Sequence, residues 1–294
     1  MMITDSGLGG LSVCAGLEQE LVTRATGTEI ELLYINATPD DRIGYNSLKT
    51  QQERMALFDR FLFASYARYA PDEIAIACNT LSVIYGDTEF ASHDLVKVRG
   101  IVGAGVTLCN TALKHKPDHK LIIFATETTV EADTYPRSIK ALSSSIVSQA
   151  CPGLAHAISN DSSGADCKQL LNTYMTEALE QIGYQPDSVY VFLGCTHYGY
   201  QSQVFHECFN ERGIEARILN PNELLVQQLL QDFLSQDSDP VRELGIRFIS
   251  RYHIPQVEVN SIQDYLQSAA PLTMAALLDH EVVPDLFESI PQVK

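Results

Sequence analysis

Two short stretches share one pattern, and they constrain the fold more than any other feature of the chain. Residues 74–80 read Ile-Ala-Ile-Ala-Cys-Asn-Thr, and residues 191–197 read Val-Phe-Leu-Gly-Cys-Thr-His. In each, an apolar run typical of a buried β-strand ends in a cysteine, and small polar residues that can begin a helix follow at once. Ligands of open α/β sheets bind outside the carboxyl ends of the strands. The pattern therefore predicts that Cys78 and Cys195 face one pocket from two similar halves of the chain.

Strand-like runs alternate with helical patterns along most of the sequence. Clear examples are the apolar runs 31–36 and 120–125 and the helical patterns 11–23 and 47–69. Such alternation is typical of an α/β protein with mainly parallel sheets. The short apolar run 101–105 is predicted to be a further strand, near the crossing between two units.

The order of these elements suggests that the two units are related. A strand, a polar turn and a helix follow one another at Asp5 and again at Thr126, and the two cysteine stretches form a second matching pair. We therefore expect two pseudo-symmetric α/β domains with the active site at their interface. The first domain is predicted to comprise residues 1–99 and 217–294, with a C-terminal extension at 235–294, and the second residues 100–216.

Composition limits the class of protein. No run approaches the roughly 20 apolar residues of a membrane span, and Asp5 leaves no room for a signal segment before it. The seven cysteines are odd in number and scattered, without a C-x-x-C pair, which argues against a disulfide framework or a zinc site. We expect a cytoplasmic protein with reduced thiols and no metal.

The formal net charge of −17 bears on partners. It argues against nucleic-acid binding through a basic surface. Binding to a membrane is not expected either. An anionic substrate would have to be held locally, by helix N-termini and hydroxyl groups, against an unfavourable overall field.

Five segments carry a family resemblance. They are residues 5–13 (Asp-Ser-Gly-Leu-Gly-Gly-Leu-Ser-Val), 77–80 (Ala-Cys-Asn-Thr), 125–130 (Ala-Thr-Glu-Thr-Thr-Val), 150–152 (Ala-Cys-Pro) and 193–198 (Leu-Gly-Cys-Thr-His-Tyr). In order and spacing they resemble the signature motifs of the glutamate racemases, in the aspartate/glutamate racemase family. The resemblance covers roughly residues 1–233 and implies an amino-acid racemase that needs no cofactor and is a possible homodimer.

The resemblance also assigns roles to residues of this sequence. Cys78 and Cys195 would be the acid–base pair, with His197 and Asp5 also expected in catalysis. Substrate contacts are expected from Asp5, Ser6, Tyr45, Asn46, Asn79, Thr80, Thr196 and His197. Apart from these assignments, the remaining cysteines are predicted to be structural, Cys151 among them, and Glu127 to be solvated or capping and not catalytic.

Three positions depart from the family pattern. Asn46, Ser159 and Gly199 stand where the family usually has glycine, glutamate and proline. The resemblance implies interconversion of L- and D-glutamate, which would supply peptidoglycan synthesis. Two alternatives stay open: a relative acting on aspartate or another amino acid, which Asn46 and Ser159 suggest, and an amino-acid-binding relative without turnover.

Two thiols suit racemisation without a cofactor. One base must remove the α-proton from one face, and one acid must deliver a proton to the other. A free cysteine is only a few per cent thiolate at pH 7, so activation is required. Helix N-termini after Cys78 and Cys195, with His197 beside the second, are expected to lower the pKa values of the thiols.

Overall fold

The computed structural model describes residues 1–23, 29–40, 43–114, 119–140, 146–161, 164–234 and 243–288, with only the backbone of residues 232–234. The first and last parts of the predicted C-terminal extension, residues 235–242 and 289–294, lie outside this description. The strands are β1 (Met2–Asp5), β2 (Glu29–Asn36), β3 (Glu73–Ile76), β4 (Lys97–Gly100), β5 (Lys120–Ala125), β6 (Ile146–Ala150), β7 (Ser188–Gly194), β8 (Glu215–Leu219), β9 (Glu243–Ser250) and β10 (Glu281–Val282).

Helices follow most of these strands. They are α1 (Leu11–Thr23), α2 (Gln51–Tyr69), α3 (Asn79–Tyr85), α4 (Glu89–His93), α5 (Ile101–Leu113), α6 (Glu127–Glu131), α7 (Thr134–Ser138), α8 (Leu154–Asn160), α9 (Ala165–Ile182), α10 (Ser202–Asn210), α11 (Pro221–Leu234), α12 (Gln256–Ala269) and α13 (Pro271–Leu278), with 3₁₀ helices at Tyr45–Ser47 and Thr196–Gln201. None of the helices in the described ranges is long and apolar enough to cross a membrane.

The strands form two parallel sheets. The first has the order β10-β9-β2-β1-β3-β4 and the second the order β6-β5-β7-β8. Every strand pairing in both sheets is parallel. The predicted α/β class with mainly parallel sheets is therefore confirmed.

The second sheet repeats the strand order of part of the first. The run β2-β1-β3-β4 corresponds position by position to β6-β5-β7-β8. In this correspondence β1 matches β5, and β3 matches β7. The strand before Asp5 is thus equivalent to the strand before Thr126, and the strand before Cys78 to the strand before Cys195, which is the relation that the sequence pattern predicts.

Strands β5 and β7, at the centre of the second sheet, are buried because helices cover both of its faces. Parallel strands in such layers read as nearly continuous apolar runs. In β5 all residues after Lys120 are buried, and in β7 all residues after Ser188. These strands hold their carboxyl ends in fixed positions for the side chains that follow.

The predicted strand at 101–105 is wrong, because these residues begin helix α5. A short apolar run does not by itself distinguish a buried strand from a buried helix. Gly105 shows what the helix needs: a Cβ there would lie 2.7 Å from ring atoms of Phe192 and Tyr135. The absence of a side chain lets α5 pack closely against the second sheet.

Strand β8 bears on the predicted division into domains. It pairs with β7 over Glu215–Leu219, so a boundary at residue 217 falls inside a strand of the second sheet. The remainder of the predicted division, with residues 1–99 and the C-terminal segment in one unit, stays a prediction.

The C-terminal segment is attached to the first sheet. Strand β9 pairs with β2 along its length, and α12 packs against α1, α13 and α8. The buried carboxylate of Glu18 accepts hydrogen bonds from the backbone N–H groups of Leu272 and Thr273, at 2.9 and 2.7 Å. These bonds satisfy N–H groups in the first turn of α13, which have no partner within the helix. Glu18 therefore fixes α13 against α1.

Candidate active site

The polar side chains of the site follow the carboxyl ends of four central strands. Asp5 ends β1, Cys78 follows β3 and precedes α3, Thr126 follows β5, and Cys195 follows β7 and precedes a 3₁₀ helix. The rule that ligands bind outside the carboxyl ends of parallel strands thus holds for both halves.

The first thiol is paired with a hydroxyl. The Sγ of Cys78 lies 3.2 Å from Oγ of Ser6, and the residue is 5% exposed. Backbone N–H groups of Leu81 and Ser6 also hydrogen-bond to this sulfur. Cys78 therefore lies among donors that favour its thiolate form.

The second thiol is paired with an imidazole. The Sγ of Cys195 lies 3.8 Å from Nδ1 of His197, and the cysteine is 8% exposed. Backbone N–H groups of His197 and Tyr198 hydrogen-bond to the sulfur. The two thiols thus have similar backbone surroundings and different side-chain partners.

Asp5 lies between the two halves. Thr196 donates a hydrogen bond of 2.7 Å from its Oγ1 to Oδ2 of Asp5, which joins the end of β1 to the Cys195 segment. The close approach requires glycine in the turn after β1. A Cβ on Gly10 would lie 2.8 Å from Cβ of Asp5, and one on Gly9 would lie 2.7 Å from the backbone nitrogen of His197. Gly9 therefore lets the two halves meet, and Gly10 lets the turn pack against the end of β1.

The expected lowering of the thiol pKa values is wrong for the structure as described. Burial first, and the charge of Asp5 second, raise the pKa of Cys195 to about 12, against the opposing effect of the backbone donors. Burial and Asp5 likewise raise the pKa of Cys78 well above its ordinary value. Sequence reasoning counted the helix N-termini but not the loss of water, which disfavours a charged sulfur more strongly here.

His197 is also affected by burial. Removal from water lowers the pKa of its imidazole, while the charge of Asp5 opposes this. The imidazole is therefore neutral at pH 7, and in the tautomer with the proton on Nε2 its Nδ1 can accept a hydrogen bond from the Cys195 thiol.

A cavity of about 440 Å³ opens above these groups. Of the predicted site residues, Ser6, Asn46 and His197 line it, and the buried Cys78, Cys195, Asp5, Asn79, Thr80 and Thr196 do not. Ser6 contacts one thiol and His197 the other, so both thiols lie directly behind the inner wall. No lysine or arginine occurs among the described residues that line this cavity.

Asn79 and Thr80 are held in place by residues of the other half. The hydroxyl of Tyr135 donates to Oδ1 of Asn79 at 2.5 Å, and Oγ1 of Thr80 lies 2.9 Å from Oγ1 of Thr126. The Nδ2 group of Asn79 is buried and has no hydrogen-bond partner among the described residues. An unmet buried donor costs about 1–3 kcal/mol, and this one belongs to the residue directly after Cys78.

Tyr45 and Asn46 have different surroundings although they are neighbours. The ring of Tyr45 is buried against Phe58 and does not line the cavity. Oδ1 of Asn46 accepts a hydrogen bond of 2.8 Å from Oγ1 of Thr128. This bond links the loop after β2 to helix α6 at the mouth of the cavity.

An ion pair supports the same loop. Arg54 is buried, and its Nε and Nη2 donate to the backbone carbonyls of Tyr45 and Leu48, at 3.2 and 3.0 Å. Its Nη1 lies 3.4 Å from a carboxylate oxygen of Glu131. The 45–48 loop is therefore fixed to both halves of the molecule.

Sequence reasoning missed several residues of the cavity wall. Thr38 and Asp40 follow the carboxyl end of β2, where the strand-end rule would have found them. Tyr252 and Glu258 come from the C-terminal segment, whose place beside β2 had no local signal. Other lining residues not predicted for the site include Thr126, Glu127, Cys151, His156 and Asn160. Ser159, a departure from the family pattern, also lines the cavity.

Comparison with curated proteins finds glutamate racemases. No protein-family model matches the chain. It is 27% identical to the glutamate racemase of Lysinibacillus sphaericus over 198 residues, which cover 67% of this chain and 68% of the relative. It is 26% identical to the glutamate racemase of Chlorobium phaeobacteroides over 235 residues, which cover 78% of this chain and 79% of the relative.

Solved structures agree with these relatives. Glutamate racemase RacE1 of Bacillus anthracis matches with a TM-score of 0.69 at 19% identity, covering 90% of this chain and 93% of the other. The glutamate racemase of Francisella tularensis, solved with D-glutamate, matches with a TM-score of 0.69 at 20% identity, covering 90% and 92%. The resemblance seen in the sequence is therefore confirmed: the curated homologues of this chain are glutamate racemases, and it has the two-sheet α/β fold of that family's solved structures.

Proposed function

We propose that the protein is a glutamate racemase that interconverts L- and D-glutamate without a cofactor, by proton transfer at the α-carbon between Cys78 and Cys195. The observation that carries this proposal is the pair of thiols at the carboxyl ends of the equivalent strands β3 and β7, both within electrostatic reach of Asp5. Curated homologues that are glutamate racemases support the choice of substrate.

The proposed reaction needs one thiolate and one thiol. The thiolate removes the α-proton from one face, and the electron pair that is left on carbon is delocalised into the α-carboxylate. The opposing thiol then delivers its proton to the other face. The first cysteine ends as a thiol and the second as a thiolate, so the two directions of the reaction use the same groups with roles exchanged.

Forming a thiolate is unfavourable in this site, because the pKa values of both thiols are raised. Burial and the Asp5 carboxylate keep both thiols protonated at pH 7 while the site holds no ligand. The ammonium group of a bound amino acid would offset the charge of Asp5. At the Cys195 end, neutral His197 is in reach to accept the proton of the thiol. Substrate binding is thus proposed to activate the thiols.

The carboxylate groups of the substrate are proposed to bind to neutral donors. Asn79 has an unmet Nδ2 group, and Ser6 and Thr80 supply hydroxyls beside Cys78. Fixed dipoles aimed at developing charge stabilise a carbanion-like transition state without a nearby cation. Such donors suit a protein with a net charge of −17.

Optical rotation of the purified protein with L-glutamate, in buffer without added cofactor, tests this proposal. We expect the rotation to decay to zero with glutamate and to persist with L-aspartate. Decay with aspartate alone would assign the activity to the alternative substrate, whose motive is Asn46 and Ser159. Stable rotation with both, together with a glutamate-dependent rise in Tm, would indicate an amino-acid-binding relative without turnover.

The wider setting follows from the proposed activity. We propose that the protein acts in the cytoplasm, where its seven free cysteines stay reduced, and that its D-glutamate serves peptidoglycan synthesis. Rescue of a bacterial strain that requires D-glutamate would support this role. A homodimer is also proposed, and light scattering in solution measures it.

A further inference from the structure

A second cavity, of about 360 Å³, adjoins the segment that carries Cys195. Its wall comes from α1, the 3₁₀ helix after Cys195, the start of α11, and α12. It shares no lining residue with the cavity above the thiols. Its volume lies within the range of small-molecule sites.

The wall of this second cavity is polar and acidic. Gln19, Asn220 and Gln227 contribute amides, and Glu20 and Glu223 contribute carboxylates. No lysine or arginine is found among the described residues of this wall. Charge complementarity therefore favours a cationic ligand over an anionic one.

Asn222 links the second cavity to the thiol site. It lines the cavity, is 3% exposed, and donates from Nδ2 to Oγ of Ser12 at 2.8 Å and to the carbonyl oxygen of Thr196 at 3.2 Å. The hydroxyl of Ser12 donates to the carbonyl of Gly9, so towards Asn222 it can only accept, which fixes the orientation of the amide.

The other end of the Asn222 amide is unsatisfied. Its Oδ1 is buried and has no hydrogen-bond partner in the part of the chain that the structure describes. A ligand N–H group that reached this oxygen would remove a cost of about 1–3 kcal/mol. A hydrogen bond to Oδ1 would also polarise the amide and strengthen its two donated bonds.

Space beside the Asn222 amide depends on a glycine. A Cβ on Gly199 would lie 3.2 Å from Nδ2 of both Asn220 and Asn222. Any side chain at position 199 would therefore press on the two amides that form this part of the wall.

We propose that the second cavity is an effector site for a small organic ammonium compound. Its positive charge complements Glu223, and its N–H groups meet the amide oxygens of the wall, Oδ1 of Asn222 first. Occupancy stabilises the Asn222–Thr196 hydrogen bond and so fixes the segment that carries Cys195. The binding site stands by itself, and only its effect on rate rests on the proposed racemase function.

Isothermal titration with 1,4-diaminobutane and with 1,4-butanediol, which differ in charge but hardly in shape, tests the site. We expect saturable binding of one diamine per chain, at least about tenfold tighter than binding of the diol. Glu223→Gln is expected to weaken diamine binding about tenfold, which corresponds to about 1.4 kcal/mol. The matched control is Glu180→Gln, which removes the same charge from the exposed surface of α9 and is expected to leave the affinity unchanged.

A second pair of variants tests the space in the cavity. Gly199→Ala is expected to weaken diamine binding, whereas Gly103→Ala on α5, where a Cβ would meet no atom within 4 Å, is expected to have no effect. Absence of saturable binding, or binding that Glu223→Gln leaves unchanged, would overturn the site.

The effect on the thiol site has its own readouts. Saturating diamine is expected to raise kcat for glutamate at least about twofold. Binding should also be reciprocal: the factor by which the diamine changes the Kd of glutamate should equal the factor by which glutamate changes the Kd of the diamine. An unchanged kcat together with unchanged affinities would overturn the effector role. If the protein binds the diamine through Glu223 but racemises nothing, the proposed function fails and the site remains.

Discussion

The Cys78 end and the Cys195 end of the candidate site have similar backbone surroundings and different side-chain partners. Each cysteine follows the carboxyl end of an equivalent parallel strand and accepts hydrogen bonds from backbone N–H groups. Cys78 is paired with the hydroxyl of Ser6, and Cys195 with the imidazole of His197. The fold therefore provides two symmetric positions, while the activation of the two thiols is chemically unequal.

Removal of one of the two thiols is expected to have the largest effect. Cys78→Ala and Cys195→Ala should each lower racemisation of glutamate by at least about 1,000-fold, or about 4 kcal/mol of transition-state stabilisation. The fold should persist because alanine fits either buried position, and circular dichroism checks this. Cys109→Ala, at a buried thiol in the helix α5, is the matched control. Near-normal activity in either site variant would contradict the two-thiol account.

The charge of Asp5 raises the pKa of both thiols, so its replacement should shift both pKa values in the same direction. Asp5→Asn keeps an oxygen that accepts from Thr196 but removes the charge that raises both thiol pKa values. Both pKa values should fall, and alkylation of Cys78 and Cys195 by iodoacetamide should begin at lower pH. Racemisation should fall about 100-fold, because the proposed partner of the substrate ammonium is lost. Peptide mass spectrometry follows each thiol, and an unshifted alkylation profile at either one would contradict the shared role of Asp5.

His197 and Ser6 should reveal the inequality of the two ends. His197→Asn is expected to lower kcat about 10- to 100-fold, and Ser6→Ala less than about tenfold, because an imidazole can accept a proton and a neutral hydroxyl cannot do so readily. The enantiomers have equal free energies in water, so kcat/KM must fall equally in both directions. The asymmetry should appear in the isotope effects of α-deuterated L- and D-glutamate, which should change in opposite directions in the two variants. Equal isotope effects in both variants would mean that the two ends work alike.

The smallest effect lies at the mouth of the cavity, away from both thiols. Thr128→Val removes the hydrogen bond to Asn46 and should raise KM about fivefold, or about 1 kcal/mol, with little change in kcat. Thr111→Val, on the exposed face of α5, is the matched control. Steady-state kinetics separates the two constants. A fall in kcat alone would show that the loop acts on the chemistry instead of on binding.

Local sequence signals predicted the symmetric part of this comparison. The positions of Cys78 and Cys195 follow from an apolar run, a cysteine and a helix start, which are features of adjacent residues. The run at 101–105 was predicted wrongly because strands and helices both bury short apolar segments.

Features that depend on residues far apart in the chain could not be predicted from the sequence. The pKa directions depend on burial and on Asp5, which approaches both cysteines only in the folded chain. Tyr252 reaches the cavity because β9 pairs with β2, across more than two hundred residues. The link from Asn222 to Thr196 likewise joins segments that have no common motif.

Proton NMR of α-proton exchange in D₂O tests the two-thiol account most directly. The intact protein, without cofactor, should replace the α-proton of both L- and D-glutamate with deuterium. Cys78→Ala should retain exchange with only one enantiomer, and Cys195→Ala with only the other, since each remaining thiol reaches one face of the substrate. Exchange of both enantiomers by a single-cysteine variant, or of neither by the intact protein, would contradict it.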